Sequence, residues 1–263
     1  MRELRVLFHL TKFGIRGLLR NQRVLVFTIA FPIILLVLFN SIFAHGRDTT
    51  TLTRGVELDE DAYFTAGILA YSIMLSAFST MAIGLVAQRE SGQLKRLRGT
   101  PLPPWVFMVA QVMRAIILIS FMAAVLLLIG HFAYDVHFPS DTFGGFILYI
   151  VLGTATMCIL GIALTAVAST AEAASTIAPF SAVLLSFISG VFIPVSELPG
   201  WLQEIGRVFP LARLADGLQT SLAPATTGSG LSGANLGVLG LWALGGLIVA
   251  VRRFSWEPQA LRT

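Results

Sequence analysis

Six stretches of about twenty mainly apolar residues recur along this 263-residue chain, near 24–44, 63–87, 105–130, 144–169, 175–193 and 234–252. A helix needs about twenty such residues to cross a hydrocarbon core of ~30 Å. Backbone groups inside a bilayer must be satisfied within the spanning segment. The pattern therefore predicts an all-α membrane protein with six transmembrane helices. Composition agrees, since 12% of the residues are charged where soluble domains carry roughly 25%, and the mean hydropathy is +0.81. A soluble chain of this make-up would expose large apolar patches and aggregate.

The net charge of +4 does not point to nucleic acid, because the basic residues follow the edges of the apolar stretches instead of forming a surface of their own. Arg2, Arg5, His9, Lys12, Arg16, Arg20 and Arg23 recur every three or four residues, opposite Leu4, Leu7, Phe8, Ile15, Leu18 and Leu19. This pattern predicts an amphipathic helix over 2–23 lying in the membrane interface against anionic headgroups. A plain positive-inside anchor is the alternative. The first apolar run follows this basic segment and is long enough to span, so no cleavable signal peptide is expected.

With the N-terminus inside, the cytoplasmic side collects the N-terminal bases together with Arg89, Lys95, Arg96, Arg98, Arg252, Arg253 and Arg262. The outer side holds Arg47, Arg54, Arg207 and Arg213. Positive-inside bias then places both termini in the cytoplasm.

The densest charge lies at 88–105, where Arg89, Glu90, Lys95, Arg96 and Arg98 sit between two apolar stretches. Such an island cannot enter hydrocarbon. Residues 88–97 can form a short helix, and Gly99-Thr-Pro-Leu-Pro-Pro stops it before Trp105 anchors the next span. Pro32 and Pro179 should kink the first and fifth spans. The glycines of the fourth and sixth (Gly153, Gly161, Gly237, Gly240, Gly245, Gly246) suit close helix packing. After the fifth span, Leu198, Trp201, Leu202, Ile205 and Phe209, then Leu211, Leu214, Leu218 and Leu222, predict two short amphipathic helices with Pro210 between them. They read as a re-entrant or extracellular helical hairpin over 194–222, with Arg213 and Asp216 spaced to pair. A flexible loop over 224–233 follows.

Chemistry-bearing motifs are few. The chain has no GxxxxGK[ST] phosphate loop, no HExxH and no Cys/His zinc spacing. Paired intramembrane carboxylates, which mark proton-driven carriers, are also absent. Cys158 reads as a small buried apolar residue, and no metal site is expected. Glu57, Asp59, Glu60 and Asp61 read as a solvated acidic loop before a cation site, and His131 with His137 is weak evidence for metal. Arg114 can snorkel or pair with Glu90 or Glu172.

Arg89-Glu-Ser-Gly-Gln-Leu-Lys-Arg-Leu-Arg98, followed by Thr100-Pro-Leu102, resembles the first cytoplasmic loop of ABC-2 type transporter permeases. The family pattern there is roughly R-E-x-G-T-L-K-R-L and then T-P, and Gln93 stands where the family often has Thr. Gly190-Val-Phe-Ile-Pro194, Leu198-Pro199 with Trp201, and Phe209-Pro-Leu211 resemble the family's second hallmark. The resemblance covers nearly the whole chain and is nearest to the daunorubicin-resistance type.

It implies a single transmembrane domain over 1–263 in the bacterial plasma membrane. The chain would be the permease half of an exporter, working with a second permease copy or a homologous permease and with separate ABC ATPase subunits. ATP and magnesium would be bound by those subunits and no cofactor by this chain. Residues 88–104 would be the coupling helix region, with Arg89, Glu90, Gly92, Leu94, Lys95, Arg96, Leu97 and Arg98 as its working residues. In that reading Glu90 pairs with nearby bases to hold the helix, and Glu172 in the next inner turn is a second contact. Spans one, two and five would line the route of a drug, antibiotic or lipid-like substrate. Pro194, Pro199, Trp201 and Pro210 would shape an outer gate. An ATP-independent secondary carrier or channel, and a membrane scaffold or sensor without transport, are the alternatives.

Overall fold

A computed structural model describes residues 2–20, 22–43, 49–52, 55–100, 102–226 and 228–254. Expectations resting on Arg47, Arg54, Pro101 and Arg262, and on the side chains of Arg2, Leu18 and Arg23, lie outside the described residues. The chain is mostly helical, with one two-stranded hairpin.

Helix α1 (Arg2–Arg20) runs beside α6 (Pro104–Tyr134). The apolar face expected of α1 divides in two. Leu7, Leu10, Thr11 and Ile15 turn inward, while Leu4, Phe8 and Leu19 remain exposed. Arg114 on α6 packs against Gly14, where an added Cβ would lie 2.9 Å from its Cδ. The arginine thus lies along α1.

Helix α2 (Gln22–Phe43) contains Pro32 and packs on the second span. Its described apolar portion, Thr28–Phe43, is shorter than a full crossing. Five further helical segments are long and apolar enough to cross a membrane: Glu60–Glu90, Pro104–Tyr134, Phe143–Leu164, Ala171–Ile188 and Gly233–Arg253.

The Glu60–Glu90 segment is α3 (Glu60–Ile73), a π-helical stretch over Met74–Ser79, and α4 (Thr80–Glu90). The Thr80 amide donates to the Leu75 carbonyl, five residues back, which marks the widened turn. This span is the central post of the bundle. In its most apolar window 72% of residues are buried, against 22–28% for α6, α8 and α11, the last two being Ala171–Ile188 and Gly233–Arg253.

Helix α5 (Gln93–Arg98) follows, and Pro104 then opens α6 at its first position, where a proline amide is not missed. Helix α7 (Phe143–Leu164) packs on α11 and on the π-helical stretch. A Cβ on Gly161 would lie 2.5 Å from the Phe78 carbonyl oxygen, and one on Gly153 would run into Leu214. Gly246 also makes a close approach, to Ile159 and Leu160, but Gly237, Gly240 and Gly245 meet no side chain within 4 Å. The packing role expected for the sixth-span glycines holds in the described structure for one of the four.

Between α8 and α11 lie a short 3₁₀ turn (Val195–Glu197), α9 (Gly200–Val208) and α10 (Pro210–Leu222). Pro210 starts the second helix, as the spacing predicts. Helix α10 is no peripheral cover, because Leu211, Leu214, Leu218 and Leu222 are buried where it packs against α3, α7 and α11. Helix α9 is the outer layer, with Trp201 66% exposed.

The sequence pattern gave no hint of the antiparallel hairpin of β1 (Thr49–Thr51) and β2 (Glu57–Asp59), which pairs Thr50 with Leu58 in the expected acidic loop. Leu52 and Leu58 supply its buried side. His131 Nδ1 donates to the Val136 carbonyl at 2.9 Å, closing the end of α6.

Candidate functional site

Two ends of the central span carry the residues of interest, one at the basic loop and the other at the α9–α10 hairpin. At the basic end α4 continues through Gln88, Arg89 and Glu90, so the first three residues of the charge island belong to the span. Chain direction changes at Ser91–Gly92, where Gly92 takes φ +71°, a left-handed conformation that costs a side-chain-bearing residue about 1–2 kcal/mol. The independent helix is therefore only Gln93–Arg98.

Leu94 is buried and anchors that helix, while Leu97 is half-buried. Lys95, Arg96 and Arg98 are exposed on its outer side. Glu90 is exposed as well. Gly92 sets the turn into the helix and Leu94 anchors it.

Arg89 differs most from expectation. It is among the largest fully buried side chains, at 1% exposure, and is unavailable to a docking partner. Its Nη1 donates to the Thr165 carbonyl at 2.9 Å, and its Nη2 donates to Ala168 at 2.7 Å and Ser169 at 3.0 Å. These carbonyls belong to the turn between α7 and α8. Glu172 lies just beyond, exposed in the first turn of α8, which Thr170 caps by accepting from the Ala173 amide at 3.1 Å. The structure thus brings the basic loop and the Glu172 turn together through Arg89. A basic residue at a helix end looks the same in sequence whether it faces water or a neighbour, so nothing in the composition singled it out.

At the opposite end, the Gly190–Pro194 segment is fixed from three sides. Tyr63 Oη donates to the Gly190 carbonyl at 2.6 Å and to Ile193 at 3.2 Å, and Gln219 Nε2 donates to Gly190 at 2.9 Å. Gly67 lets the Val191 backbone lie directly against α3. Of the expected gate residues, Pro194 is half-buried at the end of this segment, Pro199 and Trp201 are exposed around the start of α9, and Pro210 is buried under the hairpin. Trp242 on α11 ties down the α9–α10 corner by donating to the Val208 carbonyl at 2.7 Å and stacking on Phe209. Arg213 Nε donates to the Arg207 carbonyl at 2.8 Å, and Asp216 accepts from Asn235 at 2.7 Å.

A cavity of about 20 Å³ beneath the hairpin is lined by Ser189, Gln203, Arg207, Arg213, Asp216 and Gln219. That space suits a single water and is far too small for a drug-like molecule. A cluster of aromatic rings gathers around Phe192. Phe192 stacks on Phe39 at 5.0 Å and meets Tyr71 at 5.2 Å and Phe187 at 5.6 Å. Phe64 joins Phe39 at 5.5 Å and Phe43 at 5.7 Å. These rings bring α2, α3 and the end of α8 together, with Phe43 and Phe187 about half exposed. Mainly apolar helices conceal this face in their sequences, since hydrophobic residues occur on every side of them. Among the described residues no cluster of three or more His, Cys, Asp or Glu could hold a metal ion.

The family model of the ABC-2 type transporter matches residues 5–222. The chain is 25% identical over 162 residues to the probable multidrug ABC transporter permease YbhR of Escherichia coli K12, covering 60% of this chain and 43% of that protein. It is also 25% identical over 157 residues to a protein of Bacillus subtilis (strain 168) named as a transport permease, YvfS, covering 60% of this chain and 64% of the relative. The match thus spans less than two thirds of either relative. With the family model covering both the basic loop and the hairpin, the chain belongs to the ABC-2 type transporter family.

Proposed function

We propose that this chain is the permease subunit of an ATP-driven exporter, a single transmembrane domain of six spans that moves a hydrophobic or amphipathic molecule out of the cytoplasm or inner leaflet. The observation that carries the proposal is the short helix Gln93–Arg98. It presents Lys95, Arg96 and Arg98 outward, is anchored by Leu94, and is joined through one left-handed glycine to the most buried span. Such an element has the form of a docking lever for another protein. Its exposed bases suit acidic surface on an ABC ATPase that would hold ATP and magnesium.

In this reading both termini lie in the cytoplasm of a bacterial cell and α1 rests in the inner leaflet. The exposed aromatic face on α2, α3 and α8 meets substrate, together with a second permease copy or a homologous permease. The multidrug name of the YbhR relative supports an apolar cargo. The scarcity of charge within the spans argues against a carrier driven by ions at the midplane.

The test is co-expression with an ABC ATPase encoded beside this chain. Co-purification, with ATPase activity stimulated by an exported amphiphile, is the expected result. Transport that persists with the ATPase removed would establish the carrier reading instead.

A further inference from the structure

Arg89 is buried, yet among the described residues no carboxylate accepts from it: its three hydrogen bonds there end on main-chain carbonyls, and its Nε has no partner. A buried guanidinium is costly to desolvate unless it is well hydrogen-bonded. Here the compensation comes from the carbonyl end of α7, which carries partial negative charge, and from three charge-assisted bonds. The planar fork reaches Thr165 with one nitrogen and Ala168 and Ser169 with the other, a geometry that a lysine ammonium covers only in part.

Around it, Val86 on α4, Ala168 in the turn and Ala174 on α8 form a separate small apolar cluster that seals the contact. Three residues beyond Arg89 the chain turns at Gly92 into the coupling helix, and three beyond Ser169 stands Glu172. Both segments proposed to meet the ATPase thus hang from one buried side chain.

We infer that Arg89 is a positioning residue that makes the coupling helix and the 165–172 turn a single rigid unit, so that displacement delivered at Gln93–Arg98 passes at once into α7 and α8. The inference rests on the proposed ATPase coupling for its purpose, but the rigid unit itself can be tested without it. The π-helical turn at Met74–Ser79 lies between this clamp and the one that Tyr63 makes at Gly190. Span two therefore has a fixed contact at each end and a widened turn between them.

The experiment attaches spin labels to cysteines introduced at the exposed positions Gln93 and Ser175, beside the buried native Cys158, and measures their spacing in nanodiscs. A single narrow distribution is expected for the parent and Arg89→Lys, and a broad one for Arg89→Gln. A narrow distribution in Arg89→Gln would overturn the inference.

In the assembled transporter, Arg89→Gln should lower substrate stimulation of ATPase activity by about tenfold, as the loss of a buried charged hydrogen-bond donor suggests. The KM for ATP should stay unchanged, and Arg89→Lys should recover part of the loss. Gly153→Ala, which overpacks the middle of α7 against Leu214, away from the clamp, should keep the stimulation. Equal losses in all three variants would reduce Arg89 to an ordinary core residue and overturn the inference.

If Arg89→Gln does not fold, the parent complex decides. The label spacing should hold within about 2 Å between nucleotide-free and ATP-trapped states, the scale of a small helix shift, and a change beyond about 5 Å would refute a rigid unit. Failure to find any associating ATPase would remove the proposed function, while the spacing measured on the chain alone would still decide the clamp.

Discussion

A methyl group at Gly67 would run into the Val191 carbonyl oxygen, whereas one at Gly84, on the same span, meets nothing within 4 Å. Gly67→Ala should therefore cost about 1–3 kcal/mol, the usual penalty of overpacking. Gly84→Ala should be neutral or slightly stabilising, since alanine is the better helix former. Thermal melting of the two variants in detergent gives the comparison. Tyr63→Phe keeps the ring in place but leaves Gly190 to Gln219 alone and Ile193 without its donor. About 1–2 kcal/mol should be lost, and hydrogen exchange at the amides of 190–193 should rise while that of α7 stays unchanged. Individual side chains are the scale at which the sequence was least legible. It carried Arg89 as one base among several and Glu90 as the structural partner, because charge type and spacing say nothing about which way a side chain turns at a helix end.

Elements read more clearly, since their limits follow from breakers. Pro104, Pro210 and the change from apolar to polar residues set the starts of α6 and α10 and the ends of the spans much as expected. The end of span two was placed at Ala87 because charge begins at Gln88–Arg89. The helix in fact runs to Glu90, since the first residue that breaks it is Gly92. The π-helical turn left no trace in a stretch that is apolar or small throughout. The Thr49–Asp59 hairpin was hidden by its short strands and polar composition. For the coupling helix itself, Gly92→Ala should re-aim it at a cost of about 1–2 kcal/mol, and Leu94→Ala should loosen it by about 2–5 kcal/mol of lost packing. Both should reduce substrate-stimulated ATPase activity in the assembled complex, and Gly99→Ala, at an ordinary φ of −76°, should not. Comparable activity in all three would show that the helix is not the input.

For the whole molecule, the exposed bases Lys95, Arg96 and Arg98 predict a docking contact that responds to ionic strength, because the screening length falls from about 10 Å at 0.1 M to about 3 Å at 1 M salt. Lys95→Glu with Arg96→Glu should weaken ATPase association and flatten its salt dependence, as read by co-purification across a salt series. Five of the six expected spans stand among the described residues as helices of membrane length, and these were legible because length and hydropathy survive without any knowledge of packing. The central place of span two was not, since its mean hydropathy of 1.8 lies inside the 1.5–2.7 range of the other spans even though it is the most buried of them. That central position bears on biogenesis. Tyr63 lies 127 residues before the Gly190 carbonyl it will bind, and at 5–20 residues per second the ribosome takes about 6–25 s to cover that distance. Throughout that interval the Tyr63 hydroxyl lacks the carbonyls that it binds in the finished fold, so a chain whose synthesis stops before Gly190 leaves a polar site on the second helix for membrane chaperones and quality-control proteases to recognise.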